Sequence, residues 1–417
     1  MLAVQSAFGL MVLSGLAWAL SEDRSQRPWR LIATSFGIQI AIALLLTRVP
    51  VAREAMIALN GIVDTLMSAT NKGTAFVFGY VGGGAAPFDV TQPQNAFVLG
   101  FQAIPLVLVI SALSALLWYW RILPLVTRGF SFLLQRSFGL GGAVGFGTAA
   151  NIFLGMVEAP LLIRPYMARL TRSELFVLMT VGLATVAGTV IVLYAFILSS
   201  VLEGAMGQIL TASLISLPAA VLVAKLMVPD RPGEVPTDGE VSAKDLGYQS
   251  SMDAITRGTL DGLQLFLNII AMLLVLVALV ALANILLGLL PDVSGAPLTL
   301  ERILGWFFAP LVWCMGVPWA EAATAGQLMG TKTVLNEFIA YLNLTGLPDG
   351  ALSERSRLIM IYGLCGFANF GSVGIMIGGL SAIVPDRRKE ITDLAMKALI
   401  GGTLAASMTG AVIGLVS

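Results

Sequence analysis

Residues 151–189 read NIFLGMVEAPLLIRPYMARLTRSELFVLMTVGLATVAGT. One carboxylate, Glu158, stands in an apolar run. A polar stretch, TRSE at 171–174, follows, and then a long apolar segment broken at Gly182 by GLATVAGT. The same pattern returns nearer the C-terminus. Glu337 stands in TVLNEFIAY, SERS at 353–356 supplies the polar stretch, and Gly363 opens GLCGFANFGS. A pair of Gly-broken apolar segments at corresponding positions in two halves is the sequence mark of a transporter's binding site. The order is therefore read as an inverted repeat: re-entrant hairpin with a glutamate, broken helix, span.

Composition agrees. The chain has 417 residues, 57% hydrophobic and 12% charged, with mean hydropathy +0.89. Soluble domains are about 25% charged, so so much apolar surface needs lipid around it. Water-soluble enzymes and nucleic-acid binders are excluded. With 24 basic and 24 acidic residues the net charge is zero, so no basic face for polyphosphate is implied. Histidine is absent, which removes His metal ligands, His general bases and His proton relays. Cys314 and Cys365 lie in apolar runs and are read as packing residues, not a disulfide framework.

A spanning helix needs about 20 apolar residues. Eight segments meet this: 2–20, 31–47, 96–120, 175–198, 207–228, 260–290, 357–380 and 391–416. The first is kept as a helix, since no basic residue precedes it as in a cleavable signal. Regions 125–168 and 300–345 are apolar but broken by Gly, Pro and charge, and are read as the hairpins. Such backbone is tolerated at membrane depth only where protein or a water-filled cavity covers it. Region 49–74 carries apolar residues at helical spacing among scattered charges and is read as an interfacial helix.

Basic residues set the orientation. Arg24, Arg27 and Arg30, then Arg121, Arg128 and Arg136, Arg164, Arg169 and Arg172, Lys225, Arg231, Lys244 and Arg257, and finally Arg387, Arg388, Lys389 and Lys397 fall on one side. That side is read as cytoplasmic and both termini as periplasmic. The two hairpins then enter from opposite faces. The fold class is an all-α polytopic membrane protein, with about eight transmembrane helices and two oppositely oriented re-entrant hairpins. The divisions are 1–120, three scaffold spans plus the interfacial helix; 121–229, the first repeat; 230–258, a cytoplasmic linker; 259–299, a long scaffold span; and 300–417, the second repeat.

Ionisable groups inside a membrane are costly and seldom idle. Glu158 and Glu337 are read as solute- or cation-binding groups. Asn151, seven residues before Glu158, would share its face on a continuous helix. Asn151, Thr185 and carbonyls freed at helix breaks are oxygen ligands of the kind hard cations take. Asn369 and Ser372, beside Phe367 and Phe370, form a polar set with an aromatic wall, suited to a polyhydroxylated ligand; helix–helix contact is an equal reading of the same residues. Lys332 and Arg302 are placed at the ends of the second hairpin region, snorkelling to headgroups.

The segments NIFLGMVEAPLLIRPYM, LTRSELFVLMTVGLATVAGT, GTKTVLNEFIAYL, CGFANFGSVGIMIGGL and VPDRRKEITDLAMKALIGGTLA resemble the concentrative nucleoside transporter family, bacterial type. The resemblance implies a homotrimer importing nucleosides by an elevator-like motion, coupled to Na+ with no organic cofactor. By position it implies Na+ held by the side chains of Asn151 and Thr185 and the carbonyls of Leu154 and Val186. It places Glu337, Asn369 and Ser372 on the ribose and Phe367 as an aromatic wall. The family's first hairpin reads Gln-Thr-Glu where this chain has Met156, Val157 and Glu158, so the polar groups that read the base are missing. A less demanding base, or another ribosyl-like solute, is the alternative this suggests; H+ coupling through Glu158 or Glu337 is a second. The implied partners are a small nucleoside-like solute and membrane lipid, without nucleic acid, and the implied place is a bacterial inner membrane. An intramembrane enzyme using the two glutamates would lack a metal cluster and a nucleophile with its base, and a non-transporting receptor on the same scaffold would bind without flux.

Overall fold

The computed structural model describes residues 2–26, 28–90, 96–231, 233–237, 247–293 and 295–417. Arg27, Lys244 and most of the predicted linker's middle lie outside the described residues. Among the described residues all regular structure is helical, apart from one isolated bridge between Val293 and Ala296. Among the described residues seven helical segments are long and apolar enough to cross a membrane, two of them, 99–119 and 172–198, each made of two α-helices. They coincide with seven of the eight predicted spans. The eighth, 357–380, is two shorter helices on either side of a break.

The first helices are α1 (Leu2–Ala19), α2 (Trp29–Arg48) and α3 (Pro50–Phe78). α3 covers the predicted interfacial segment as one continuous helix, with Pro50 at its start. The short α4 (Leu99–Gln102) leads into α5 (Leu106–Tyr119). Region 125–168 resolves into α6 (Ile122–Phe138), α7 (Gly142–Ala150), α8 (Glu158–Leu162) and α9 (Arg164–Met167). Next come α10 (Arg172–Ala184), α11 (Gly188–Leu198) and α12 (Ala205–Met227). The long α13 (Ser251–Leu287) separates the two repeats.

The second repeat opens with α14 (Leu300–Met315) and α15 (Trp319–Val334), bent by 115° at the break between them. α16 (Glu337–Thr345), α17 (Glu354–Leu364), α18 (Phe370–Ile383) and α19 (Arg388–Val416) complete the chain. Region 300–345 is thus three helices rather than a simple hairpin. α14 is a separate element, turned back at Gly316 (φ 107°, a left-handed conformation open to glycine). It corresponds to α6 in the first repeat. In both halves the helix order is one preceding helix, a set of shorter helices (α7–α9, α15–α16), a broken helix and a long helix.

The polar stretches that mark the repeat are helix starts. Thr171 accepts a hydrogen bond from Glu174 N–H, and the Glu174 carboxylate returns one from Thr171 N–H, a capping box at the head of α10. Ser353 accepts from Ser356 N–H at the head of α17. Each cap is worth about 1 kcal/mol and fixes where its broken helix begins.

Burial separates two regions. α10 and α11 are largely buried, whereas of the 37 residues of α13 only Ala254, Gly258 and Gly262 are. α10, α12, α17 and α19 form the interior, with α1 on α19 and α2 on α12. α13 runs along α5, its Gly258 and Gly262 set against Ser111 and Ala115. Small residues allow this close approach where the membrane supplies no hydrophobic force.

Candidate functional site

The two broken helices meet at their breaks. α10 ends at Ala184, and Thr185 is extended (φ −116°, ψ 172°). α17 ends at Leu364, and Asn369 is extended as the N-cap of α18. Between them Phe367 N–H donates to the Thr185 carbonyl at 3.2 Å. Backbone freed from one repeat is thus satisfied by backbone freed from the other, as it must be where water is scarce. Gly366 permits the approach: a Cβ there would lie 2.6 Å from the Ala184 carbonyl oxygen.

On one side of this crossing lie the predicted cation residues. α7 ends at Ala150, so Asn151 and Glu158 do not share a continuous helix. Asn151 is the C-cap of α7; Glu158 opens α8 after a turn containing Leu154, Met156 and Val157. Ending the helix frees Asn151 to turn toward the α10 break. Its Nδ2 donates to Thr185 Oγ1 at 2.7 Å and to the Val181 carbonyl at 3.3 Å. Thr185 Oγ1 donates to the same carbonyl at 2.9 Å. Asn151 Oδ1 is buried without a partner. An orphaned buried acceptor is expensive, and an amide oxygen beside a hydroxyl and loosened backbone fits a hard monovalent cation. Val186, in the break itself, is buried with them.

On the other side is the Glu337 carboxylate, 3% exposed. Its Oε1 accepts from the Tyr194 hydroxyl at 2.6 Å and its Oε2 from Asn369 Nδ2 at 3.0 Å. Glu337 is the first residue of α16, whose N-cap Asn336 accepts from Ile339 N–H. Glu158 likewise is the first residue of α8. Each glutamate is thus the first residue of a short helix, α8 and α16. Asn369 has two tasks: Nδ2 holds Glu337, and Oδ1 accepts from Ser372 N–H at 2.7 Å to start α18. Ser372 is 7% exposed and Phe367 is half-buried beside the crossing.

The first hairpin tip is packed differently. Met156 lies over Gly182 of α10 and Val157 over Gly379 of α18. Their side chains offer no hydrogen bond. Glu158 is exposed, its carboxylate folded toward the backbone amides of Gly155 and Val157.

Several residues were not singled out by the sequence. Tyr194 sits in an apolar run, IVLYAFIL, where nothing marks its hydroxyl as a partner for a glutamate 143 positions on. Asp261 of α13 lies within electrostatic reach of Glu158. Met272 of α13 faces Gly371, at the head of α18. Lys332 corrects an expectation. Rather than snorkelling, it is 0% exposed, and its Nζ donates to the Gly363 carbonyl at 3.0 Å. Arg302 is part-buried and donates to the carbonyls of Ala296 and Val293. Both cysteines are free and buried.

Three family profiles match the chain. Residues 8–81 and 208–414 match the Na+ dependent nucleoside transporter N-terminus and C-terminus, and residues 100–201 match nucleoside recognition. An uncharacterized transporter of Haemophilus influenzae is 37% identical, over 100% of this chain and 98% of that protein. The nucleoside permease NupC of Helicobacter pylori is 35% identical, over 98% of this chain and 97% of its own length. A solved structure of CNTnw in an inward-facing substrate-bound state superimposes with a TM-score of 0.88 at 35% identity, covering 100% of this chain and 99% of that one.

Proposed function

We propose that this chain, which belongs to the Na+ dependent nucleoside transporter family, imports a nucleoside with Na+ by carrying its binding site across the membrane. It is a transporter, not an enzyme. The observation that carries the reading is the meeting of the two helix breaks. It sets the Asn151–Thr185 pair, with its unpaired amide oxygen, against the backbone that leads to Asn369 and Glu337.

Na+ would take Asn151 Oδ1, Thr185 Oγ1 and the carbonyls of Leu154 and Val186. Asn151 Nδ2 already draws Thr185 toward it, so binding needs little rearrangement. An ordered break then presents Phe367 and Asn369 in fixed places, and the loaded state binds solute more tightly. Glu337 accepts from ribose hydroxyls in place of, or beside, Tyr194 and Asn369, with Ser372 completing the set. Charge-assisted bonds of this kind are strong. Met156 and Val157 form an apolar base side. Burying an unpaired base edge against them is unfavourable, so the favoured solute has a base with few polar groups toward this tip. Glu158, beside them, contributes a carboxylate at the rim.

The sliding surface is the one between the two repeats and the α5–α13 pair. The repeats, 121–229 and 300–417, move; the long span of 259–299 and α5 stay. We read the assembly as a homotrimer in a bacterial inner membrane, with both termini periplasmic. The test is uptake of radiolabelled uridine and adenosine into proteoliposomes, with and without an inward Na+ gradient. Na+-driven uptake of either supports the reading. Uptake driven by a pH gradient and indifferent to Na+ overturns the coupling ion. Absence of uptake of either, in protein that Na+ still stabilises, overturns the nucleoside and leaves another ribosyl-like solute.

A further inference from the structure

We propose that Lys332 is a built-in counter-cation for Glu337 and positions the carboxylate that meets the solute. The inference rests on the reading of Glu337 as the solute-binding carboxylate.

Among the described residues, Lys332 is the one buried basic side chain, and Glu337 and Glu174 are the buried acidic ones. Glu174 lies at the head of α10 and is satisfied by Thr171 N–H, Thr237 N–H and the Thr237 hydroxyl. Lys332 and Glu337 lie at the second hairpin tip, on opposite sides of the turn between α15 and α16, and within electrostatic reach of each other. An ammonium or a carboxylate alone in such a place is strongly unfavourable. Together they make the hairpin tip electrically neutral.

The surroundings fit a charge role. Lys332 Nζ donates to the carbonyl of Gly363, in the last turn of α17, where the helix ends and partial negative charge collects. The other groups facing the pair are neutral or acidic: Tyr194 from α11, Tyr341 of α16, Cys365 at the C-cap of α17, and Asn369 at the head of α18. None of them supplies a positive charge. Lys332 therefore compensates Glu337 whether or not a coupling ion is bound, and joins the hairpin to the broken helix whose next residues hold the solute. The transported cation is left to the Asn151–Thr185 side.

Two arms test this. Lys332→Gln keeps a donor for the Gly363 carbonyl and removes the charge. Its uridine dissociation constant, measured by calorimetry in Na+ buffer, is expected to rise tenfold or more, while stabilisation by Na+ alone is retained. Its unfolding midpoint without nucleoside is expected to fall. Adding Glu337→Gln to Lys332→Gln should bring that midpoint back toward wild type, since the unpaired carboxylate is then gone. Uridine affinity within twofold of wild type in Lys332→Gln, or a double variant less stable than Lys332→Gln, overturns the counter-cation. The thermal arm uses no nucleoside. A wild-type protein that binds no nucleoside therefore sinks the functional reading, while the thermal arm still decides the role of Lys332.

Discussion

At the scale of single residues, the two sides of the site differ in what they still have to gain. Asn151 Oδ1 waits for a partner, whereas Glu337 already has two donors. Under the proposed function a solute hydroxyl would have to match or replace these donors, and only a charged acceptor would make that worthwhile. Hydrogen bonds to charged groups contribute about 1.5–3 kcal/mol, neutral ones about 0.5–1.5. Glu337→Gln should therefore weaken uridine binding by roughly tenfold or more, and Ser372→Ala by a few-fold. Equilibrium binding to both variants checks this; the reverse ranking refutes the assignment of Glu337. Asn151, Thr185, Glu337 and Asn369 could be read from the sequence because polar groups stand out in apolar runs. Tyr194 and Lys332 could not. A tyrosine in a span is unremarkable by composition, and a lysine near a hairpin reads as a headgroup anchor until its depth is known. What decides both is a contact across the fold, which spacing does not encode.

At the scale of elements, the crossing of the two breaks is the feature on which the site depends. The helix breaks, Thr185–Ala187 and Cys365–Asn369, were legible to within a turn because Gly and small polar residues interrupt long apolar runs there. Their mutual hydrogen bond was not, since nothing local to either break points at the other. The same limit applied to region 300–345. Its apolarity and interruptions predicted a re-entrant unit, but three helices and a 115° bend come from packing. The predicted continuous helix through Asn151 and Glu158 failed for the opposite reason: a period was assumed through a turn that holds Gly155. Gly366 now carries a sharp expectation. A methyl there would press on the Ala184 carbonyl oxygen from 2.6 Å, with backbone rather than a flexible side chain opposing it. Overpacking of this kind costs about 1–3 kcal/mol. Gly366→Ala should lower the unfolding midpoint and abolish most uptake, whereas Gly374→Ala, with open space around it, should leave both near wild type. Equal effects of the two substitutions would show that the crossing is not the critical contact.

At the scale of the whole molecule, the interior bundle is tied to the first two helices on the face read as cytoplasmic. Glu22, in the loop between α1 and α2, accepts from Arg172 Nε at 3.0 Å and Nη2 at 2.9 Å, and from Lys397 Nζ at 2.6 Å. Arg172 heads α10 and Lys397 lies on α19, so one carboxylate joins three parts of the chain. Glu390 extends the network, 3.7 Å from Arg172 and 2.7 Å from Arg387. The hydrogen bond from Arg172 is the main reason that the Glu22 carboxyl is held well below the usual carboxylate range, at about 2; Lys397 adds to it and partial burial opposes it. A carboxyl depressed by folding stabilises the native state at pH values above its unfolded pKa, near 4.5, and that stabilisation is lost as pH falls toward 2. Because the group is partly solvated, its net worth is about 1 kcal/mol rather than the full linkage value. Glu22→Gln should therefore unfold at a lower temperature than wild type at pH 7. The gap should shrink steadily between pH 4.5 and 2, as wild-type Glu22 takes up its proton. Melting curves of the two proteins in detergent across that range, at low and high salt, check the sign. A gap that widens on acidification would mean that Glu22 strains the native state instead of holding α1 and α2 to the bundle.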